Sequence, residues 1–317
     1  HAVLHLLYSR FFTRALKKCG YSSFDEPFNG LLTQGMVCHQ TFKTQNGAWL
    51  LPDEVNKTNN EFFRNTTGEK VIPGRIEKMS KSKKNVIDPE KIIKEYGADT
   101  ARLFMVSDSP PERDMIWSID GVEGSFKFLN KILKMADETN NVETLEKFDE
   151  KKITENNLSF FQKLHSLIYD ITNGIENFKF NICIAKLYEL SNLISNLKIN
   201  NDNEYFLRIH SLSIFSKLLS PFAPHHSEEV WQMLGNTGLV VNQSWPLYEE
   251  RFIKSDKITS GVQVNGKLRG IIEYNNKIST DQIEKLALSL NSVKKLLVNK
   301  KVKKIIVVPG KIVNVVI

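Results

Sequence analysis

Between residues 121 and 250 the sequence is an almost unbroken helical pattern, and this constrains the fold more than any other feature. Apolar residues recur with helical period over 122–139, 153–176, 182–197, 203–219 and 227–234. Polar or proline-bearing breaks fall at Asn140-Asn141, Phe180-Asn181, 198–202 and Ser220-Pro221. Long helices joined by links this short lie antiparallel to one another, so the middle of the chain is expected to be an α-helical bundle.

The pattern changes on both sides of the bundle. Residues 1–18 read as a helix whose wide apolar face includes Val3, Leu4, Leu7 and Phe11, with Gly20 as its C-terminal signal. This helix begins at His1 with no cap and no lead-in, which reads as a chain cut within an element, a fragment lacking an N-terminal part. Residues 31–37 (Leu-Leu-Thr-Gln-Gly-Met-Val) suit a short buried strand, and 41–77, rich in Asn, Thr and Gly, an insertion of hairpins and loops. Asp88-Pro89-Glu90 is a strong helix start: a capping carboxylate, a proline at the first helical position and an acid at the positive end. Gly97 closes that helix, and Ala98-Asp99-Thr100 opens another that stops at Ser109-Pro110-Pro111.

Beyond residue 253 the period becomes that of strands. Asn265-Gly266 between two strand-like runs is a hairpin signal, Ser279-Thr-Asp-Gln282 is a capping box, and 305–308 and 312–316 flank a Pro-Gly turn. A unit of about 60 residues with this make-up is a small α+β domain able to fold alone. It is also basic. From residue 254 onward thirteen Lys/Arg face four Asp/Glu, whereas the whole chain of 317 residues carries a net charge of +7. A basic module joined to a nearly neutral body points to a polyanion partner, most simply nucleic acid; a lysine-rich solvated surface is the rival explanation. No run of about 18 apolar residues suits a membrane span. Three widely spaced cysteines, Cys19, Cys38 and Cys183, fit a reducing, cytoplasmic setting and inert buried thiols.

Residues 78–84, Lys-Met-Ser-Lys-Ser-Lys-Lys, gather four lysines on a short loop just before a helix start. Ammonium groups on a mobile loop can close over a polyphosphate, hydroxyls add donors, and a helix start adds oriented N–H groups. On charge alone this is equally a basic surface loop. No Walker-type glycine-rich loop accompanies it.

The order of residues carries more. Lys78-Met79-Ser80-Lys81-Ser82, then Asn85, Asp88-Pro89, Tyr96-Gly97-Ala98-Asp99 and Arg102, resembles the second signature of class I aminoacyl-tRNA synthetases. The wider chain resembles the leucyl-tRNA synthetases of bacterial type: His1 to Tyr8 with Arg10-Phe11-Phe12, Glu26-Pro27-Phe28, residues 31–37, Trp117, Val122-Glu123-Gly124, Phe180-Asn181, Ser220 to His225 with Trp231, Trp245-Pro246, Val262 to Arg269 and Val308 to Lys311. Residues 41–77 match least. The family's first signature, a His-x-Gly-His stretch, and its editing domain have no counterpart here. Lys83-Lys84 stands where Lys-Gly or Lys-Asn is common.

The resemblance implies a multidomain α/β plus α fold: the C-terminal part of a Rossmann-type class I catalytic domain (1–120), an anticodon-binding-type helical bundle (121–252) and a small α+β tRNA-binding domain (253–317). It implies ligation of leucine to tRNA(Leu) through leucyl-adenylate, with ATP and Mg2+ as the substrate complex, no protein-bound metal, and a monomeric parent supplying the missing N-terminal half. Lys81 and then Lys78 would hold the departing pyrophosphate. Gln34, Met36, Val37, Met79, Ser80 and Ser82 would complete the ATP site. His1 and His5, four residues apart, would border the leucine pocket; otherwise they are core histidines of a helix. Lys267, Arg269, Lys300, Lys301, Lys303 and Lys304 would contact tRNA phosphates, or else protect strand edges from aggregation. His225-His226 would serve the entry of a helix rather than a metal. Two alternatives stay open: a non-catalytic RNA-binding module descended from such an enzyme, and a sister enzyme for valine or isoleucine.

Overall fold

The helical pattern between 121 and 250 becomes five helices in a computed structural model, which describes residues 2–139, 155–253, 257–275, 278–297 and 302–317. They are α4 (Ile119–Asp137), α5 (Glu155–Glu176), α6 (Phe180–Ser195), α7 (Asp202–Leu219) and α8 (Pro224–Met233). Each starts within five residues of its expected position. Their buried positions follow the helical period: Val122, Ser125, Phe128, Leu129, Ile132 and Met135 on α4, and Cys183, Ile184, Leu187, Leu190 and Ile194 on α6. The Phe128 ring lies 3.9 Å from that of Tyr188 and 6.3 Å from that of Phe215, joining α4, α6 and α7. Burial of each large apolar side chain among them contributes about 2 kcal/mol, so most of the stability of these helices comes from their shared core.

The chain divides into two compact units, His1–Phe160 with Leu167–Leu247, and Phe161–Ser166 with Tyr248–Ile317. In the first, Ala2–Tyr8 forms a π-helical segment that runs into α1 (Ser9–Lys18), closed by Gly20 in the left-handed conformation (φ 81°). Arg10 Nε and a terminal nitrogen meet the two Glu26 oxygens at 2.7 and 2.9 Å, and Arg14 adds a further contact. This fork, with the hydrogen bond from Arg10 as its largest influence, holds the Glu26 carboxyl down at about 2.

Strand β1 (Val37–Lys43) is flanked by β2 (Trp49–Leu50) and β5 (Ile72–Lys78), both antiparallel, while β3 (Val55–Thr58) and β4 (Glu61–Arg64) form a separate hairpin. Hairpins therefore occupy the 41–77 stretch, packed on Phe42, Leu50 and Val71. The strand expected at 31–37 is corrected. The ladder starts only at Val37, and Leu31 and Leu32 are 40% and 38% exposed. The apolar run suggested a strand, but among the described residues no strand pairs with residues 31–35, and Met36 gives only its carbonyl, to the Met115 N–H.

Helix α2 (Pro89–Tyr96) turns at Gly97 (φ 87°) into α3 (Ala98–Ser107), and β6 (Met115–Ile116) then pairs in parallel with the start of β1. Ile92, Phe104, Met115 and Val122 form the core beneath, against which Trp117 packs. Cys38 and Cys183 are buried, and burial pushes the Cys183 thiol up to about 11; Cys19 is exposed, which corrects the expectation for that residue.

In the second unit, α9 (Glu250–Ile253) precedes a mixed sheet of order β8-β7-β10-β9, formed by β7 (Lys257–Val264), β8 (Lys267–Asn275), β9 (Lys304–Val308) and β10 (Ile312–Val316). Asn265 and Gly266 both have positive φ, as a two-residue hairpin turn requires. Helix α10 (Thr280–Ser289) starts with both halves of the expected capping box, and α11 (Asn291–Leu297) follows. One sheet face, through Val262, Val264, Ile272, Tyr274, Val313 and Val315, shares a core with Ile283, Ala287 and Val293 of the two helices. Phe252 stacks on His165 at 4.8 Å, adding the short α5 segment to this unit.

Candidate nucleotide site at the lysine loop

The lysine loop is built on the end of β5. Lys78 pairs with Cys38 across the ladder, and the Met79 N–H donates to the Val37 carbonyl at 3.0 Å. One residue then fixes the loop's base. Asn85 is fully buried; its Oδ1 accepts from the Ser80 N–H at 2.9 Å, and its amide N–H groups reach the carbonyls of His39 and Glu77 at 3.1 Å and of Lys78 at 3.3 Å. A single side chain thus joins the loop to both strands. Ser80 caps the short helical turn Lys81–Lys83 through the Lys83 N–H, and its hydroxyl lies 3.2 Å from that of Ser82.

The charges on the loop are not equivalent. Lys83 pairs with Glu77 and is half-buried, so its charge is neutralised locally. Lys78, Lys81 and Lys84 are exposed and pair with no acid among the described residues. Three exposed cations therefore stand over a base tied down by Asn85, an arrangement suited to phosphate oxygens. Lys84 is left-handed (φ 54°), which gives the physical reason why glycine or asparagine is common at that place. The start of α2 is capped as its sequence implies: Asp88 accepts from the Glu90 N–H at 3.0 Å and puts a carboxylate there.

Met36 and Val37 are brought next to the loop through the Val37–Met79 bond. Gln34 lines a cleft of about 110 Å3 with Met36, Val37, Arg113, Met115 and Phe180. The backbone here is tightly held: the Gly35 N–H donates to Pro111 at 2.8 Å and the Met36 N–H to the Asp114 carboxylate at 2.7 Å. A Cβ on Gly35 would lie 2.1 Å from the Arg113 carbonyl oxygen, so only glycine fits. His5 is half-buried with its ring 6.2 Å from Phe28; His1 lies outside the described residues. No group of three or more His, Cys, Asp or Glu side chains suited to a metal occurs among the described residues.

Sequence reasoning assigned no contact to Asp99, His226 or Arg102. Asp99, 2% exposed in the first turn of α3, accepts from the Nδ1 atoms of His225 and His226 at 2.9 and 3.0 Å and from the His226 backbone N–H at 2.7 Å. Burial alone would raise its pKa, but hydrogen bonds from His226 and His225 outweigh this and hold the carboxyl at about 2. Arg102, one turn on, donates to the carbonyls of Phe222 and Pro221 at 3.2 and 3.0 Å. The two histidines do serve a helix entry, as expected, but through a partner on another helix.

In the second unit Lys267 and Arg269 are exposed on edge strand β8, Lys304 is exposed on the opposite edge strand β9, and Lys303 is exposed just before it. Lys267 pairs with Val264, which lies beside Val315 and so Ile305, putting Lys267 and Lys304 at the same end of the sheet. Three strand spacings separate them by roughly 14 Å. Lys300 and Lys301 lie outside the described residues.

The family described as "tRNA synthetases class I (I, L, M and V)" matches residues 67–118, which span the lysine loop and α3. "Anticodon-binding domain of tRNA ligase" matches residues 157–285. Leucine–tRNA ligases of Wolbachia pipientis and Rickettsia bellii are 42% and 44% identical over the whole chain, which spans 37% of the length of each. A solved LeuRS–tRNA–LeuAMS ternary complex from Agrobacterium radiobacter K84 is similar at a TM-score of 0.68 and 28% identity, covering all of this chain and 36% of that one. No helix among the described residues is long and apolar enough to cross a membrane. The chain is a homologue of the leucine–tRNA ligases, among the class I tRNA synthetases, over the C-terminal portion of their length.

Proposed function

We propose that this chain supplies the lysine loop, the helical bundle and the basic tail of a cytoplasmic leucine–tRNA ligase. The observation that carries this reading is the loop at residues 78–84, held at its base by Asn85 and free in charge at Lys78 and Lys81. In the reaction, the leucine carboxylate attacks the α-phosphate of Mg-ATP. The bond to the β-phosphate breaks, pyrophosphate leaves with the added charge, and the leucyl group then passes to a hydroxyl at the 3′ end of tRNA(Leu) as AMP leaves. Lys81 and Lys78 stabilise the charge that builds on the leaving pyrophosphate, and most of their effect is on the transition state. Gln34, Met36, Val37 and Met79 face the adenine side, Ser80 and Ser82 the phosphates, and His1 and His5 the leucine side chain.

Three parts divide the work: residues 1–120 hold the nucleotide, 121–252 lie along the tRNA and 253–317 grip its phosphates. Lys267, Arg269, Lys303 and Lys304, with Lys300 and Lys301, give affinity without sequence choice. The test is a chimera in which this chain replaces the corresponding portion of the Rickettsia bellii ligase. Leucine-dependent ATP–pyrophosphate exchange and charging of tRNA(Leu) are expected. Exchange driven by valine or isoleucine instead, or none with any of the three, refutes the reading.

A further inference from the structure

Helix α8 begins without a cap of its own. Its N-cap residue is Ala223, which offers no side-chain acceptor, and Pro224 and His225 follow. Four N–H positions at a helix start need partners, and an uncapped start is costly when buried. Here the acceptor comes from another helix, 127 residues earlier in the chain: Asp99 takes the His226 N–H at 2.7 Å. The same carboxylate takes both histidine side chains, so its two oxygens are committed to one turn of α8. Arg102 takes the two carbonyls at the corner between α7 and α8. An anion on a helix start and a cation on a helix end both match the local dipoles. Asp99 and Arg102 thus hold the α7–α8 corner at both of its polar ends.

The helix that carries this clasp is tied to the lysine loop by a short, stiff path. Asn85 fixes the loop, Asp88 caps α2 three residues later, and Gly97 turns the chain straight into α3. Ile92 of α2 and Phe104 of α3 share one core, so the two helices move together. From these contacts we infer that Asp99 and Arg102 are positioning residues that register the lysine loop against the helical bundle. With RNA seated on the bundle, that register sets where the loop stands relative to the RNA. The role of the clasp in charging rests on the proposed function; the register itself does not.

Two measurements test it. In the chain with Cys19→Ser, spin labels at Ser82→Cys on the loop and Ser195→Cys on α6 report the loop-to-bundle distance by pulsed electron spin resonance. A narrow distribution is expected, at least doubling in width with Asp99→Asn or with the milder Arg102→Ala, at unchanged helix content. An unchanged width in both variants overturns the inference. In the chimera, Asp99→Asn is expected to slow tRNA charging about tenfold while leucine-dependent ATP–pyrophosphate exchange keeps its rate. A merely structural role would lower both together, and that result also overturns it. A parent chimera that activates no leucine removes the functional reading, whereas the spin-label distances still decide the clasp.

Discussion

Replacing Asn85 by alanine tests whether one buried amide holds the lysine loop. The side chain accepts from Ser80 at 2.9 Å and donates to His39 and Glu77 at 3.1 Å, with Lys78 sharing at 3.3 Å. Alanine removes three good hydrogen bonds, leaves the Ser80 N–H without its partner, and takes one donor each from the His39 and Glu77 carbonyls, which face each other in the β1–β5 ladder. At about 1 kcal/mol per bond the loss is about 3 kcal/mol, and more if water does not enter the space. Urea unfolding of the first unit, followed by fluorescence of its four tryptophans, measures it. Amide exchange of Ser80 should rise by roughly a hundredfold, the same free energy expressed as a local opening. Asn85→Asp should cost at least as much, because it sets a carboxylate against the His39 and Glu77 carbonyls. An Asn85→Ala loss below about 0.5 kcal/mol, with Ser80 exchange unchanged, would refute the staple.

Three further outcomes are expected. Lys84→Asn should stabilise the chain by about 0.5 kcal/mol in the same urea titration, since asparagine tolerates the left-handed backbone that lysine resists; a loss of stability would contradict this. Asp99 has its pKa depressed in the folded state to about 2, so its contribution is present above the unfolded value near 4 and fades as pH falls through 2. That contribution is about 2 kcal/mol, and thermal melts of the chain and of Asp99→Asn should converge between pH 4 and pH 2. For the tail, Lys267→Ala with Lys304→Ala should weaken binding of tRNA by this chain and lower the slope of log K against log salt by about 1 to 2, read by filter binding; an unchanged slope makes these lysines edge protection only.

What the sequence revealed and what it hid follow from the range of the interactions. Helices α4 to α8 were legible because their apolar period is long and the breaks carry polar or proline residues. The β7–β8 hairpin and the start of α10 were legible because a turn or a cap needs only neighbours: Asn265-Gly266 and Ser279 with Gln282 act within a few residues. Helix α11, seven residues with two lysines in its last turn, was too short to show a period. The run at 31–36 is apolar enough for a strand, but a strand also needs a partner, which no local pattern supplies. Asn85 and Asp99 were visible only as members of a motif. Their roles depend on carbonyls and histidines up to 127 residues away, and nothing local to either residue announces them. Lys84 is the reverse case: its departure from the usual residue is plain in the sequence, and the backbone gives that departure a specific conformational cost.

The central claim is that exposed ammonium groups on the Asn85-anchored loop stabilise the pyrophosphate leaving group. The most direct measurement is leucine-dependent ATP–pyrophosphate exchange by the chimera carrying Lys81→Ala. The account predicts a rate lower by roughly 10²–10³ with leucine affinity little changed, the scale of losing one transition-state donor. A rate equal to that of the unsubstituted chimera would contradict it.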